Sequence, residues 1–424
     1  MSEWKRYKLG ELLRVKHGWA FKGEFFSDTG IQSILTPGNF YESGGFKANP
    51  SKDRFYCGDY PKEYLCSKGD LIVVMTEQAA GLLGSTAIVP EDNRYLHNQR
   101  IGLISCNESL NKDFAYYLFM TQSVRQQISR SASGTKVKHT SPEKIYDVQV
   151  DIPKIQTQKN IAIFLSSLDK KIQINNQIHQ ELEAMAKTLY DYWFVQFDFP
   201  DQNGKPYKSP GGKMVYHPEL KREIPEGWEV EKLGELIELE RGVTYAKSDI
   251  VEKTTKDAIG VLRATNITGN VMDLNDLVYL TKDKINNKQI IKQNETLIVM
   301  SSGSKEHLGK NAINYYEEVI GFGAFCSKIV PQKYSAFINT FLQSPEFKGY
   351  LLKQSMGTNI NNLTNSDILD CRIILPKEEI LDKFENMVEK NIRLISNNYI
   401  QNQELTQLRD WLLPMLMNGQ VKVE

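Results

Sequence analysis

The chain is written twice. Trp4-Lys5-Arg6-Tyr7-Lys8-Leu9-Gly10-Glu11-Leu12 recurs 224 residues on as Trp228-Glu229-Val230-Glu231-Lys232-Leu233-Gly234-Glu235-Leu236. Leu71-Ile72-Val73-Val74-Met75 is echoed by Leu297-Ile298-Val299-Met300. Leu83-Gly84-Ser85-Thr86-Ala87-Ile88 is echoed by Leu308-Gly309-Lys310-Asn311-Ala312-Ile313 at an offset of 225. Gly134-Thr135 and Pro153 then match Gly357-Thr358 and Pro376 at 223. Five matches in one order, with so little drift, mean two whole domains related by duplication rather than a short solenoid period.

Each copy begins with short apolar runs punctuated by Gly, Pro, Asn and Asp, the pattern of strands in a mixed α/β globule. The period then changes. Ile161, Leu165, Leu168, Ile172, Asn175, His179, Leu182, Ala186, Leu189 and Trp193 follow steps of four and three, an a/d heptad seam. Adding 223 gives Phe384, Val388, Asn391, Ile395, Asn398, Asn402, Leu405, Arg409, Leu412 and Leu416. Pro153 and Pro376 close the last strand of each globule, and the next prolines are Pro200 and Pro414. Long helices are therefore expected from each of these starts. Both seams turn polar in the middle. If the helices pair antiparallel, Asn175 faces Asn402 and His179 faces Asn398, a polar layer that fixes register. His179 is read as a structural hydrogen-bonder there.

The segment Phe199 to Gly212 is rich in turn formers, without periodicity, and reads as a linker. The resulting division is a globule over 1–152, a helix over 153–196, a linker over 197–224, a second globule over 225–375 and a second helix over 376–424.

Lys plus Arg equals Asp plus Glu at 52 each, which excludes a wholly electrostatic, histone-like binder but not local basic patches. Five cysteines form no CxxC pair and read as free thiols; with no apolar leader or membrane-length run, a cytoplasmic protein is expected. Catalytic motifs are near misses. Gly303-Ser304-Lys305-Glu306-His307-Leu308-Gly309-Lys310 has one residue too many between its glycines for a P-loop, and Asn311 stands where Ser or Thr is required. No catalytic, cofactor-binding or metal-binding residue is assigned.

Surface chemistry remains. Phe114 to Pro142 contains no acid but carries Arg125, Arg130, Lys136, Lys138 and His139, around a Ser133-Gly134-Thr135 loop able to offer hydroxyls and amides to phosphate. The second copy, Phe347 to Ser366, again lacks acid and holds Gly357, Thr358, Asn359 and Asn361. Asn suits adenine, and Arg or Lys suits guanine. Solvated helix faces would look the same. After the strand at Leu71–Met75 come Thr76 and Gln78, and in the same place of the second copy stand Ser301, Ser302 and Lys305. Likewise Thr36 and Asn39 align with Arg263 and Asn266. Loops that keep their place while changing side chains suit one scaffold reading two targets, as would ordinary loop drift.

Two such globules, each followed by a long helix, resemble the specificity (S) subunit of a type I restriction–modification enzyme. The segment Gly204 to Val215 running into Glu223-Ile224-Pro225-Glu226-Gly227-Trp228 carries the resemblance, together with Gly134-Thr135, Pro153 and Gln158; the second copy departs in having Leu381 at the place of Gln158. The resemblance implies two mixed α/β target recognition domains joined by an antiparallel coiled coil with pseudo-twofold symmetry. It also implies a subunit without catalysis of its own, each domain reading half of a bipartite double-stranded DNA site and the coil setting their separation. Two methyltransferase (M) subunits would carry S-adenosylmethionine, and motor-nuclease (R) subunits would use ATP and Mg. A self-contained restriction or modification enzyme with a diverged site, and a coiled-coil spacer without a nucleic-acid role, are the alternatives.

Overall fold

The computed structural model describes residues 4–48, 53–77, 79, 81–134, 137–274, 276–355 and 362–423. Both copies build the same four-stranded antiparallel sheet. In the first its order is Leu13–His17, Ile101–Cys106, Leu71–Val74, Thr86–Ile88; in the second it is Ile237–Arg241, Cys326–Pro331, Thr296–Val299, Asn311–Ile313. Leu71–Val74 and Thr296–Val299 are buried at every position, which is why they read as unbroken apolar runs rather than alternating ones. A smaller mixed sheet in each copy contains one parallel pair, Ser33–Ile34 with Tyr95–Leu96 and Ala258–Leu262 with Ile320–Phe322.

The strand at each repeated Trp returns to the strand before each repeated Pro. Lys5–Lys8 pairs with Gln149–Ile152, and Glu229–Lys232 with Arg372–Leu375. Helices Lys112–Met120, Gln122–Ser131 and Pro142–Tyr146 reappear as Ser335–Gln343, Pro345–Ser355 and Asn365–Leu369. Even the close backbone approaches are copied: a Cβ at Gly18 would lie 2.1 Å from the Asn98 carbonyl oxygen, and one at Gly242 would lie 2.3 Å from that of Gly323.

The long helices are Ile155–Tyr190, continued by a π-helical turn Asp191–Val195, and Glu378–Met417. The second runs on through Pro414 instead of ending there. By contacts the chain divides into two units, 1–172 with 404–424 and 173–403, each holding its own globule and a stretch of both long helices. Within unit one, Ile161 and Leu165 share a core with Leu416 and Met417, and Arg409 Nη1 donates to Asp169 Oδ1 at 2.8 Å. Within unit two, Asn175 Nδ2 donates to Asn402 Oδ1 and to Gln401 Oε1, both at 2.8 Å. In both units the residue numbers rise on one helix as they fall on the other, so the stretches run antiparallel. All the seam positions expected from the heptads are buried or half-buried.

Two expectations need correction. His179 does not hydrogen-bond Asn398: its ring stacks on Tyr399, centroids 4.4 Å apart, while His179 Nε2, Asn398 Nδ2 and Asn175 Oδ1 are buried without partners among the described residues. An aromatic face one position off the seam outcompetes the amide. The segment 197–224 is no loose linker either. Phe197 and Phe199 are buried against Trp228, Tyr207 stacks on Phe199 at 4.6 Å, and Met214–His217 pairs with Arg222–Pro225 as a hairpin. Its aromatics bury enough apolar area to fix the turns between them.

Candidate nucleic-acid interface

In unit one the buried strand Leu71–Val74 runs on into the buried Met75 and Thr76, and a later loop is zipped onto this extension. Thr140 N donates to Met75 O at 2.9 Å and Glu77 N to Lys138 O at 2.9 Å. Ser133 and His139 exchange both backbone hydrogen bonds, at 2.9 and 2.7 Å, closing the loop between them. Gly134 makes the closure possible: its φ is +106°, and a Cβ there would sit 2.1 Å from Val137 O. Thr76 Oγ1 meets His139 Nδ1 at 3.1 Å.

Ser133, Gly134, Lys138, His139 and the preceding Arg130 are exposed. Neither Arg130 nor Lys138 forms an ion pair with a described residue, so their charge is open to an anion. Lys138 Nζ donates to Ser129 Oγ at 3.4 Å. Arg125 is different. It spans the Glu42 and Gly81 carbonyls, and burial pulls its guanidinium down to about 10; it serves the fold. Gln78, Thr135 and Lys136 lie outside the described residues.

Unit two repeats the device. Strand Thr296–Val299 delivers Met300 and Ser301; Leu363 N donates to Met300 O at 2.7 Å, and Ser301 bridges to Asn362 by backbone pairing and by a side-chain hydrogen bond from Ser301 Oγ to Asn362 Oδ1. Ser302 accepts from Ser304 N at 3.2 Å, and Lys305 is exposed in the turn Lys305–His307. Gly357, Thr358, Asn359 and Asn361 lie outside the described residues.

Thr36, Asn39, Arg263 and Asn266 have other work. Asn39, 5% exposed, accepts from Thr36 N at 2.8 Å and from Thr36 Oγ1 at 3.1 Å, clamping the turn Pro37–Asn39. Asn266, 3% exposed, clamps Ala264–Asn266 the same way through Arg263 N at 2.8 Å, and donates to Asp273 O and Asp276 O. Arg263 is neutralised by the Asp276 carboxylate at 2.7 Å. An Asn whose amide already closes a turn has little left for a base edge.

Sequence reasoning passed over the contact partners His139 and Asn362 as sites. The signal was available: they stand 223 residues apart, the offset of the Gly-Thr pairs. Among the described residues there is no cluster of His, Cys, Asp and Glu suited to a metal ion, and no helix long and apolar enough to cross a membrane.

The model of the type I restriction modification DNA specificity domain matches residues 1–184 and 225–405, one match to each copy. The chain belongs to this family. It is 26% identical over 357 residues to the type I restriction enzyme MjaIX specificity subunit of Methanocaldococcus jannaschii, covering 83% of this chain and 78% of that one. It is 24% identical to the HindI specificity subunit of Haemophilus influenzae, over 99% of this chain and all of its relative. The crystal structure of an S subunit from M. genitalium shares the fold, with TM-score 0.54 at 16% identity, over 98% and 96% of the two chains. Two specificity domains, each ending in a long helix, are thus the family's architecture, and in this chain each carries the same loop-on-strand device.

Proposed function

We propose that this chain is the non-catalytic DNA specificity subunit of a type I restriction–modification complex, with each domain reading one half of a bipartite double-stranded site. The observation that carries the reading is the duplicated device: the same backbone pairing onto the same strand end, with Thr76 and His139 in one copy and Ser301 and Asn362 in the other. A fixed backbone with exchanged side chains is what reading two different sequences requires. Methyltransferase subunits, two if each helix stretch receives one, would bring S-adenosylmethionine. Motor-nuclease subunits would bring ATP and Mg. Exposed Arg130, Ser133, Gly134 and Lys138, together with Thr135 and Lys136, would hold phosphates in the first half-site. Ser302, Lys305, Gly357, Thr358, Asn359 and Asn361 would serve the second.

Mapping modified adenines in a strain carrying this chain with its partners tests the reading; a two-part motif with a fixed gap is expected. Replacing Lys136 and Lys138 with Ala should lower the salt slope of DNA binding by the assembled complex by about two, one per lost phosphate contact. An unchanged slope would leave these lysines facing solvent. Tight S-adenosylmethionine binding by the isolated chain would instead favour a self-contained methyltransferase.

A further inference from the structure

Resting on the reading just given, we infer that His139 and Asn362 are the paired base-reading side chains of the two half-sites, each aimed by a hydroxyl from the neighbouring strand end. Three observations place them in one role. Both sit at the closing end of the loop zipped onto the buried strand, in the residue before the backbone donor to Met75 O or Met300 O. Both are exposed, although their hydroxyl partners are more enclosed: Thr76 is 9% exposed and Ser301 half-buried. Both spend one polar atom on that hydroxyl, His139 its Nδ1 and Asn362 its Oδ1.

The chemistry left over differs, and that difference is the specificity. In the tautomer whose Nδ1 accepts from Thr76 Oγ1, the His139 ring carries its N–H on Nε2 and presents one donor. With Oδ1 accepting from Ser301, the Asn362 amide presents two N–H donors on Nδ2 and an oxygen with one of its two lone pairs already engaged. Both therefore favour acceptors on base edges, purine N7, guanine O6 or thymine O4, over the donor and acceptor of adenine together. The two-donor amide can span N7 and O6 of one guanine, whereas the single imidazole donor cannot. Thr76 and Ser301 are positioning residues: they hold the reading group in one rotamer and never need to touch DNA.

The test is motif mapping with the assembled methyltransferase, comparing wild type with His139→Ala, Asn362→Ala and Thr76→Val. Each Ala variant should lose about 10- to 100-fold discrimination at one base pair of one half-site, leaving the other half-site and the gap intact. Thr76→Val should blur the same base pair as His139→Ala. If an Ala variant gives no methylation at all, His139→Asn and Asn362→His keep a polar group in place and should shift the preferred base. Wild-type selectivity in all these variants would overturn the assignment while leaving the specificity-subunit reading intact. A wild-type complex with no bipartite motif would instead overturn the reading itself.

Discussion

In unit one the helix Lys112–Met120 starts under two polar side chains. Asn111 accepts from Phe114 N, and the fully buried Gln158 of the first long helix accepts from Asn111 N at 2.9 Å while donating to Ser109 O at 3.0 Å and Pro153 O at 2.9 Å. In unit two the matching helix Ser335–Gln343 starts at Tyr334, in the left-handed region at φ +54°, with no side-chain cap. Leu381 replaces Gln158 as core. One turn further along, where unit one has the buried Ala162, Glu385 accepts from Ala336 N at 3.1 Å and Phe337 N at 2.7 Å. Burial raises the Glu385 carboxyl's affinity for protons, and the two amides oppose that. The duplication has kept the requirement, orphan amides tied to the long helix, and let the chemistry move by one turn.

The largest effect expected from breaking this comparison is at Gln158. Gln158→Leu copies the second unit's side chain without its Glu, so one amide and two carbonyls lose their partners. At roughly 1–3 kcal/mol per buried orphan, less what water recovers, the loss should be about 3–5 kcal/mol in urea unfolding. Glu385→Ala orphans two amides but removes a side chain that is only half-buried, and should cost about 2–3 kcal/mol. If Glu385→Ala proved the costlier, the Gln158 network would be exchanging readily with water.

A second difference sharpens the comparison through pH. Trp19 N binds His97 O, and Val243 N binds Phe322 O, both at 2.8 Å, so His97 and Phe322 occupy one place in the fold. His97 is fully buried; its Nε2 donates to Ile101 O at 2.9 Å and its Nδ1 has no partner among the described residues. Burial, partly offset by that carbonyl, pulls its pKa down from 6.5 to about 4. The unfolded chain then takes up the proton first, so the contribution is intact above pH 6.5 and drains as pH falls towards 4. About 3 kcal/mol should be lost across that window. His97→Phe should flatten this part of the stability–pH profile. An unchanged acid slope in that variant would assign the loss elsewhere, His179 being another histidine whose proton affinity burial lowers.

How much of this was legible depends on how far each signal travels along the chain. The duplication and both long helices stood out because period and offset are properties of sequence alone, and the Asn175–Asn402 contact followed from heptad geometry. Tyr399 was missed because it lies one step off the seam beside Asn398, and a heptad count ranks positions rather than side-chain reach. Asn39 and Asn266 were misread because closing a turn and reading a base use the same amide; only burial separates the two. Phe197 and Phe199 were hidden among turn formers, where composition outweighed two rings that bury against Trp228. Which residue of each loop is held against the strand end is decided by a contact between residues more than 60 positions apart, Thr76 with His139 and Ser301 with Asn362, which no local pattern encodes.

The smallest expected effects come from a place where one unit is filled by charge and the other is hollow. In unit one Tyr117 Oη donates to Asp169 Oδ2 at 2.6 Å, and Arg409 Nη1 donates to Asp169 Oδ1 at 2.8 Å, joining the globule to both helix stretches. The matching residues of unit two, at 223 residues' offset, are Thr340, Ile392 and Ala186, and all three line a cavity of about 260 Å³. The Asp169 and Arg409 side chains are 26% and 19% exposed. Arg409→Ala should therefore cost about 2 kcal/mol, below the figure for a fully buried pair, because water reaches the abandoned carboxylate. Filling the hollow works in the opposite direction. Ala186→Leu adds apolar area against Ile392 and Val388, and should gain about 1 kcal/mol provided the added atoms find a free rotamer. Leu at 186 also extends the apolar seam on one side of the Asn175–Asn402 contact, so the gain should appear as slower unfolding with the denaturant slope unchanged. A loss of stability in Ala186→Leu would mean that the space is held by ordered water on Asn339, Gln343 and Glu183, and that unit two replaced the charged triad with solvent rather than with nothing.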